Sequence, residues 1–157
     1  MKHRILAGPL AAAGLVAALY AALTLLFAPI SFSQIQFRVA EALTLLPVLS
    51  AASVPGLFAG CLISNLVTGQ PWQDVVFGSL ATLLAALLTR RLRRNIWLAG
   101  LMPVIINAVV IGLMLSLMYG LHFYISFLTV GAGQAAVCYF LGVPLVRLLT
   151  QRGISLP

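Results

Sequence analysis

Residues 96–119 read IWLAGLMPVIINAVVIGLMLSLMY, a run from Ile96 to Tyr119 without one charged side chain. A bilayer core takes about 20 helical residues, so this stretch is long enough to cross a membrane and decides the class of the chain. The same reading extends outward. Ile5–Ala28 and Tyr124–Leu149 are apolar over comparable lengths, and Phe37–Ser50, Val54–Thr68 and Val75–Thr89 are shorter apolar runs between them. Of the 157 residues, 62% are hydrophobic and 7% charged. A soluble domain carries about 25% charged residues, so this chain has too few to cover a water-facing surface. The expected fold is an all-α integral membrane protein of six transmembrane helices in a single membrane domain spanning residues 1–157. A short span is tolerated where the bundle thins the bilayer or buries the helix. The first run exceeds a signal-peptide core of about 7–15 residues and reads as a retained helix.

The charges set the topology. The net charge of +7 comes mainly from three basic clusters between apolar runs: Lys2, His3 and Arg4, then Arg90, Arg91, Arg93 and Arg94, then Arg147 with Arg152. Six spans with a cytoplasmic amino terminus put all three clusters and the carboxyl terminus on the cytoplasmic side, as the positive-inside rule requires. Removing one of the first four spans would set the first cluster against the second. Clusters placed this way report topology, and nucleic-acid binding is not expected. Loops 29–36, 69–74 and 120–123 then face outward, with Gln34, Gln36, Gln70, Gln73, Asp74 and His122, and a solute cavity opening outward is expected. Cys61 and Cys138 read as small buried hydrophobes, no metal-ligand spacing appears, and no cofactor or metal is expected. A Gly-rich phosphate loop with its lysine is missing, so ATP hydrolysis is not expected of this chain.

Only two residues are acidic. Charge is costly in lipid, so an acid inside an apolar run is a functional candidate. Glu41 follows Arg38 by three positions, which on a helix places the two on one face; the alternative is a structural ion pair at the interface. Asn107 and Gln134 sit mid-run, each roughly 15–18 Å from the outer end of its segment at 1.5 Å per residue. Their carboxamides need partners, either another helix or a solute, and Gly131 and Gly133 allow close approach beside Gln134. Gln36 and Phe37 complete the candidate solute contacts. Ala17, Ala18, Ala21 and Ala22 form two overlapping small-xxx-small pairs with Ala13 a turn earlier, a pattern for close helix approach. It serves either a partner helix or internal packing, and internal packing is the expectation for Gly56 and Gly60. Phe32, Trp72, Tyr119, Phe123 and Tyr124 fit an interfacial aromatic belt.

Four strings carry a family resemblance: FAPISF at 27–32, IQFRVAEALT at 35–44, VPGLFAGC at 54–61 and DVVFGSLAT at 74–82. Together, and in order over nearly the whole chain, they resemble the QueT family, substrate-binding S components of energy-coupling factor (ECF) transporters assigned to queuosine precursors. The resemblance implies a bacterial cell (inner) membrane protein that captures a 7-deazaguanine such as a queuosine precursor or queuine. It implies docking through the alanines of helix one onto a transmembrane coupling subunit driven by two cytoplasmic ATPases, with loop 29–36 as a lid. One position departs: the family's Gly-x-Gly-Glu reads Gly131-Ala132-Gly133-Gln134 here. A glutamine has one acceptor oxygen and adds two donors, which moves purine-edge recognition toward Glu41 and Asn107. Other readings are an S component for another flat micronutrient, such as a flavin or pterin, a structural packing subunit, and a membrane enzyme using Glu41 or Asp74. The last lacks a nucleophile–base pair.

Overall fold

The computed structural model describes residues 4–5, 8–31 and 38–155. The expected lid, from residue 32 on, and the expected contacts Gln36 and Phe37 lie outside the described residues. Helix α1 runs Pro9–Leu26, with proline in its first turn, where a missing N–H costs nothing. A helical turn, Ala28–Ser31, follows it. Helix α2 is Val39–Val48 and α3 is Ser53–Val67. Helix α4 opens with a wide π turn, Asp74–Gly78, and continues as Ser79–Arg91. Helix α5 is Ile96–Tyr119, started by the Asn95 side chain accepting from the Trp97 and Leu98 N–H groups and ended at Gly120 with φ 65°. Helix α6 spans Phe123–Gln151 and contains a second π turn, Cys138–Gly142. Among the described residues the fold is thus all-α with six helices, as expected, apart from one pair of two-residue strands. Three of them, α1, α5 and α6, are long and apolar enough to cross a membrane.

The second helix differs from its expected form. It is a 3₁₀-helix of 10 residues with Pro47 inside, whereas such helices seldom exceed a few residues. Its surroundings account for its survival: every residue from Ala40 to Pro47 is buried, and α2 packs against all five other helices. At about 2.0 Å rise per residue it covers about 20 Å, against about 15 Å for an α-helix of equal length. The tighter winding also eclipses positions three apart, so Glu41 and Thr44 stack, with the Thr44 hydroxyl donating to the Glu41 carbonyl at 2.6 Å. Around α2 the other helices form an arc, α1 on α3, α3 on α4, α4 on α5 and α5 on α6.

Side chains are sorted as lipid demands. Leu117, Tyr124, Leu128 and Phe140 are well exposed, whereas Glu41, Asn65, Asn107 and Gln134 are buried. Apolar burial gives little drive in lipid, so helices hold together by close approach. The α1–α3 contact shows this. A Cβ at Gly56 would lie 2.6 Å from the Ala13 carbonyl oxygen, and one at Gly60 would lie 2.8 Å from that of Ala17. The two glycines therefore pack internally, as expected. Their partners Ala13 and Ala17, with Ala21, are half-buried, while Ala18 and Ala22 are exposed with Gly14. The alanines taken together in the sequence are thus divided between two faces of α1.

One end of the bundle is basic. Arg90 reaches across from α4 to donate to the Pro47 and Val48 carbonyls at 3.0 and 3.3 Å, satisfying the carbonyl end of α2. The short parallel pairing of Arg4–Ile5 with Ile154–Ser155 brings the two chain ends together.

Candidate functional site

Glu41 is the hub of a buried polar cluster. It sits in the first turn of α2, 2% exposed. One carboxylate oxygen accepts from the Tyr20 hydroxyl of α1. The other accepts from Gln134 Nε2 of α6 at 2.9 Å and from Asn107 Nδ2 of α5 at 3.3 Å. Three helices thus aim donors at one carboxylate, the arrangement that offsets the cost of taking such a group out of water. A carboxylate only accepts, and both carboxamides present their nitrogen to it.

Beside this hub is a second network. Arg38 caps α2 with an extended backbone, φ −92° and ψ 105°, so it is not the helical neighbour of Glu41 that its spacing suggests. Its guanidinium donates to Asn65 Oδ1 of α3 at 2.6 Å, with Cys61 Sγ at 3.8 Å. Asn65 in turn donates to the Asp74 carbonyl at 3.0 Å, holding the π turn at the head of α4 against α3. Thr82 Oγ1 bonds the Gly78 carbonyl at 3.0 Å and Cys61 Sγ at 3.4 Å. A Cβ on Gly78 would lie 3.3 Å from Asn65 Nδ2, so the glycine leaves that amide its room.

Between the two networks lies a small recess of about 20 Å³, lined by Arg38, Glu41, Asp74, Gly78, Thr82, Asn107, Ile111, Val130 and Gln134. Both acidic residues of the chain meet one arginine here, with two carboxamides, a hydroxyl and apolar walls. The lining has the chemistry for a polar solute that both donates and accepts, but its volume is about that of one water, so the surrounding side chains and helices must part to admit one. The donors on Glu41 are already engaged with it, so a solute that donates to Glu41 exchanges with Tyr20, Asn107 or Gln134.

Of the residues singled out by sequence, Arg38, Glu41, Asn107 and Gln134 come together in this recess. Tyr20, Asn65 and Thr82 were missed as site residues. Tyr20 carried a signal: a phenol in the middle of an apolar helix needs a hydrogen-bond partner. Asp74 reads as part of an outward-facing loop, and nothing local in the chain shows that its backbone meets the Asn65 side chain. No group of three or more His, Cys, Asp and Glu side chains suited to a metal occurs among the described residues.

Fold and site together define a multi-pass all-α membrane protein that shelters a polar recess among its helices. Residues 10–151 match the model of the family described as QueT transporter, and the chain belongs to that family. It is similar to the queuosine precursor transporter QueT of Lactococcus lactis subsp. cremoris (strain MG1363), 39% identical over 71 residues. That match covers 44% of this chain and 41% of the relative, less than half the length of either. No solved structure matches. Membership in this family accords with the three helices long and apolar enough to cross a membrane.

Proposed function

We propose that this protein is the substrate-binding S component of an ECF-type transporter that imports a queuosine precursor or a queuine-like 7-deazaguanine across a bacterial inner membrane. The observation that carries the reading is the buried Glu41 carboxylate, surrounded by Tyr20, Asn107 and Gln134 inside a chain of the QueT transporter family. Glu41 accepts hydrogen bonds from the ring N–H and exocyclic amine of the base or from an appended ammonium. Arg38 and the carboxamides of Asn107 and Gln134 meet the ring's acceptors. The apolar walls at Ile111 and Val130 flank the ring.

The chain forms a single membrane domain, with all six helices crossing the bilayer and α2 to α4 as short spans inside the bundle. The basic end and both termini face the cytoplasm and the recess opens outward; Gln36 and Phe37 belong to the solute contacts of this reading. ATP is hydrolysed by two cytoplasmic partner subunits, acting through a transmembrane coupling subunit that docks on α1. The exposed Gly14, Ala18 and Ala22 supply the close-approach face, while Ala13, Ala17 and Ala21 keep α1 seated on α3.

Mass spectrometry of small molecules released from freshly purified protein tests the reading. A 7-deazaguanine supports it, and a flavin or pterin would retain the S-component role while replacing the substrate.

A further inference from the structure

The recess uses every acid the chain possesses. Glu41 and Asp74 both line it, and the sequence contains no other Asp or Glu. The basic end of the bundle therefore has no carboxylate side chain of its own. Arg91, Arg93, Arg94 and Arg147 are all exposed there, and among the described residues no ion pair or hydrogen bond engages their side chains. One of them is nevertheless held in place. The Arg147 guanidinium of α6 lies over the Trp97 ring at the start of α5, 5.2 Å from its centroid. Tyr139 stacks on the same indole at 5.8 Å and 25°, and its hydroxyl donates to the Trp97 carbonyl at 2.9 Å. Trp97 remains 52% exposed.

From this we infer that the Trp97–Arg147 corner, with the arginines between α4 and α5, is a seat for the phosphodiester headgroup of an anionic phospholipid. An arginine fixed over an aromatic face loses little freedom on binding and keeps its N–H fork for phosphate. The choice of a lipid rests on what lies beside the corner. Leu98, Phe140, Leu141 and Leu148 are exposed large apolar side chains of the same two helices, a surface on which acyl chains lie while the head meets the guanidinium. Basic pockets between membrane helices recognise anionic headgroups on this principle. This inference stands apart from the solute that the recess binds.

The test is native mass spectrometry of the full-length protein in neutral detergent with equal amounts of phosphatidylglycerol and phosphatidylcholine of identical chains. Wild type is expected to retain phosphatidylglycerol at least about fivefold more than phosphatidylcholine, the preference one surface arginine confers. Arg147→Gln is expected to lose about that factor, and Trp97→Leu part of it. Arg152→Gln removes the same charge without leaving the ring and is expected to lose less than twofold. Unchanged melting temperatures confirm that the variants are folded. Equal retention of the two lipids by wild type would overturn the inference and leave the basic end to an acidic protein partner. Equal losses for Arg147→Gln and Arg152→Gln would overturn the defined seat in favour of diffuse attraction. Displacement of phosphatidylglycerol by millimolar inorganic phosphate would overturn the choice of a lipid over free phosphate.

Discussion

Gly60→Ala probes the link between helix packing and the site. The added Cβ would fall 2.8 Å from the Ala17 carbonyl oxygen, 2.8 Å from Tyr20 Cβ and 3.1 Å from Ala17 Cα. Two of these neighbours are backbone, so no side-chain rotation relieves the clash and α1 must withdraw from α3 by several tenths of an ångström. Overpacking of this kind costs about 1–3 kcal/mol. The same shift pulls Tyr20 from Glu41, and a hydrogen bond to a charged group is worth about 1.5–3 kcal/mol. The expected loss is about 2.5–6 kcal/mol, or roughly 5–24 °C in melting temperature for a chain of this size. Thermal unfolding of the detergent-solubilised variant measures it, with Gly14→Ala as the control because no atom lies within 4 Å of its added Cβ. Gly14→Ala should match or exceed wild type, since alanine is the better helix former by about 1 kcal/mol. A Gly60→Ala protein that melts with wild type would refute the close α1–α3 contact and the delivery of Tyr20 to the recess.

Other substitutions separate the remaining parts. Arg90→Met should lower stability by about 1–3 kcal/mol in chemical unfolding, because the Pro47 and Val48 carbonyls at the end of α2 lose their donor. Ala18→Trp and Ala22→Trp should abolish uptake by an assembled transporter while leaving solute affinity within twofold in titration calorimetry, whereas Ala17→Trp, whose backbone abuts Gly60, should lose both. Gln134→Glu replaces a donor 2.9 Å from Glu41 Oε2 with a second carboxylate. Ligand-free protein should then melt lower at neutral pH, and a base carrying an ammonium group should raise the melting temperature more than it does in wild type.

The chain declares its class through residues 96–119 and its polar candidates through their rarity. Glu41, Asn107 and Gln134 stand out because lipid admits few such groups, and these three do converge. What the sequence could not convey was direction. Runs apolar on every side have no periodicity to mark an inner face, so the alanines of α1 read as one set although Gly60 claims Ala17 and leaves Ala18 outward. The 3₁₀ winding of α2 was hidden for a related reason. It is imposed by burial on all sides, and its consequence, Arg38 as an extended cap instead of a helical neighbour of Glu41, depends on packing. The Arg38–Asn65–Asp74 chain joins three helices across 27 and 9 positions, contacts that no local pattern encodes.

The most direct test of the account is calorimetric titration of a 7-deazaguanine queuosine precursor into the purified protein and its Glu41→Gln variant. The account predicts saturable binding by wild type and an affinity lowered by about 10- to 150-fold in the variant, the worth of a charge-assisted hydrogen bond. Equal affinity in the two proteins, or no binding heat in wild type, would contradict it.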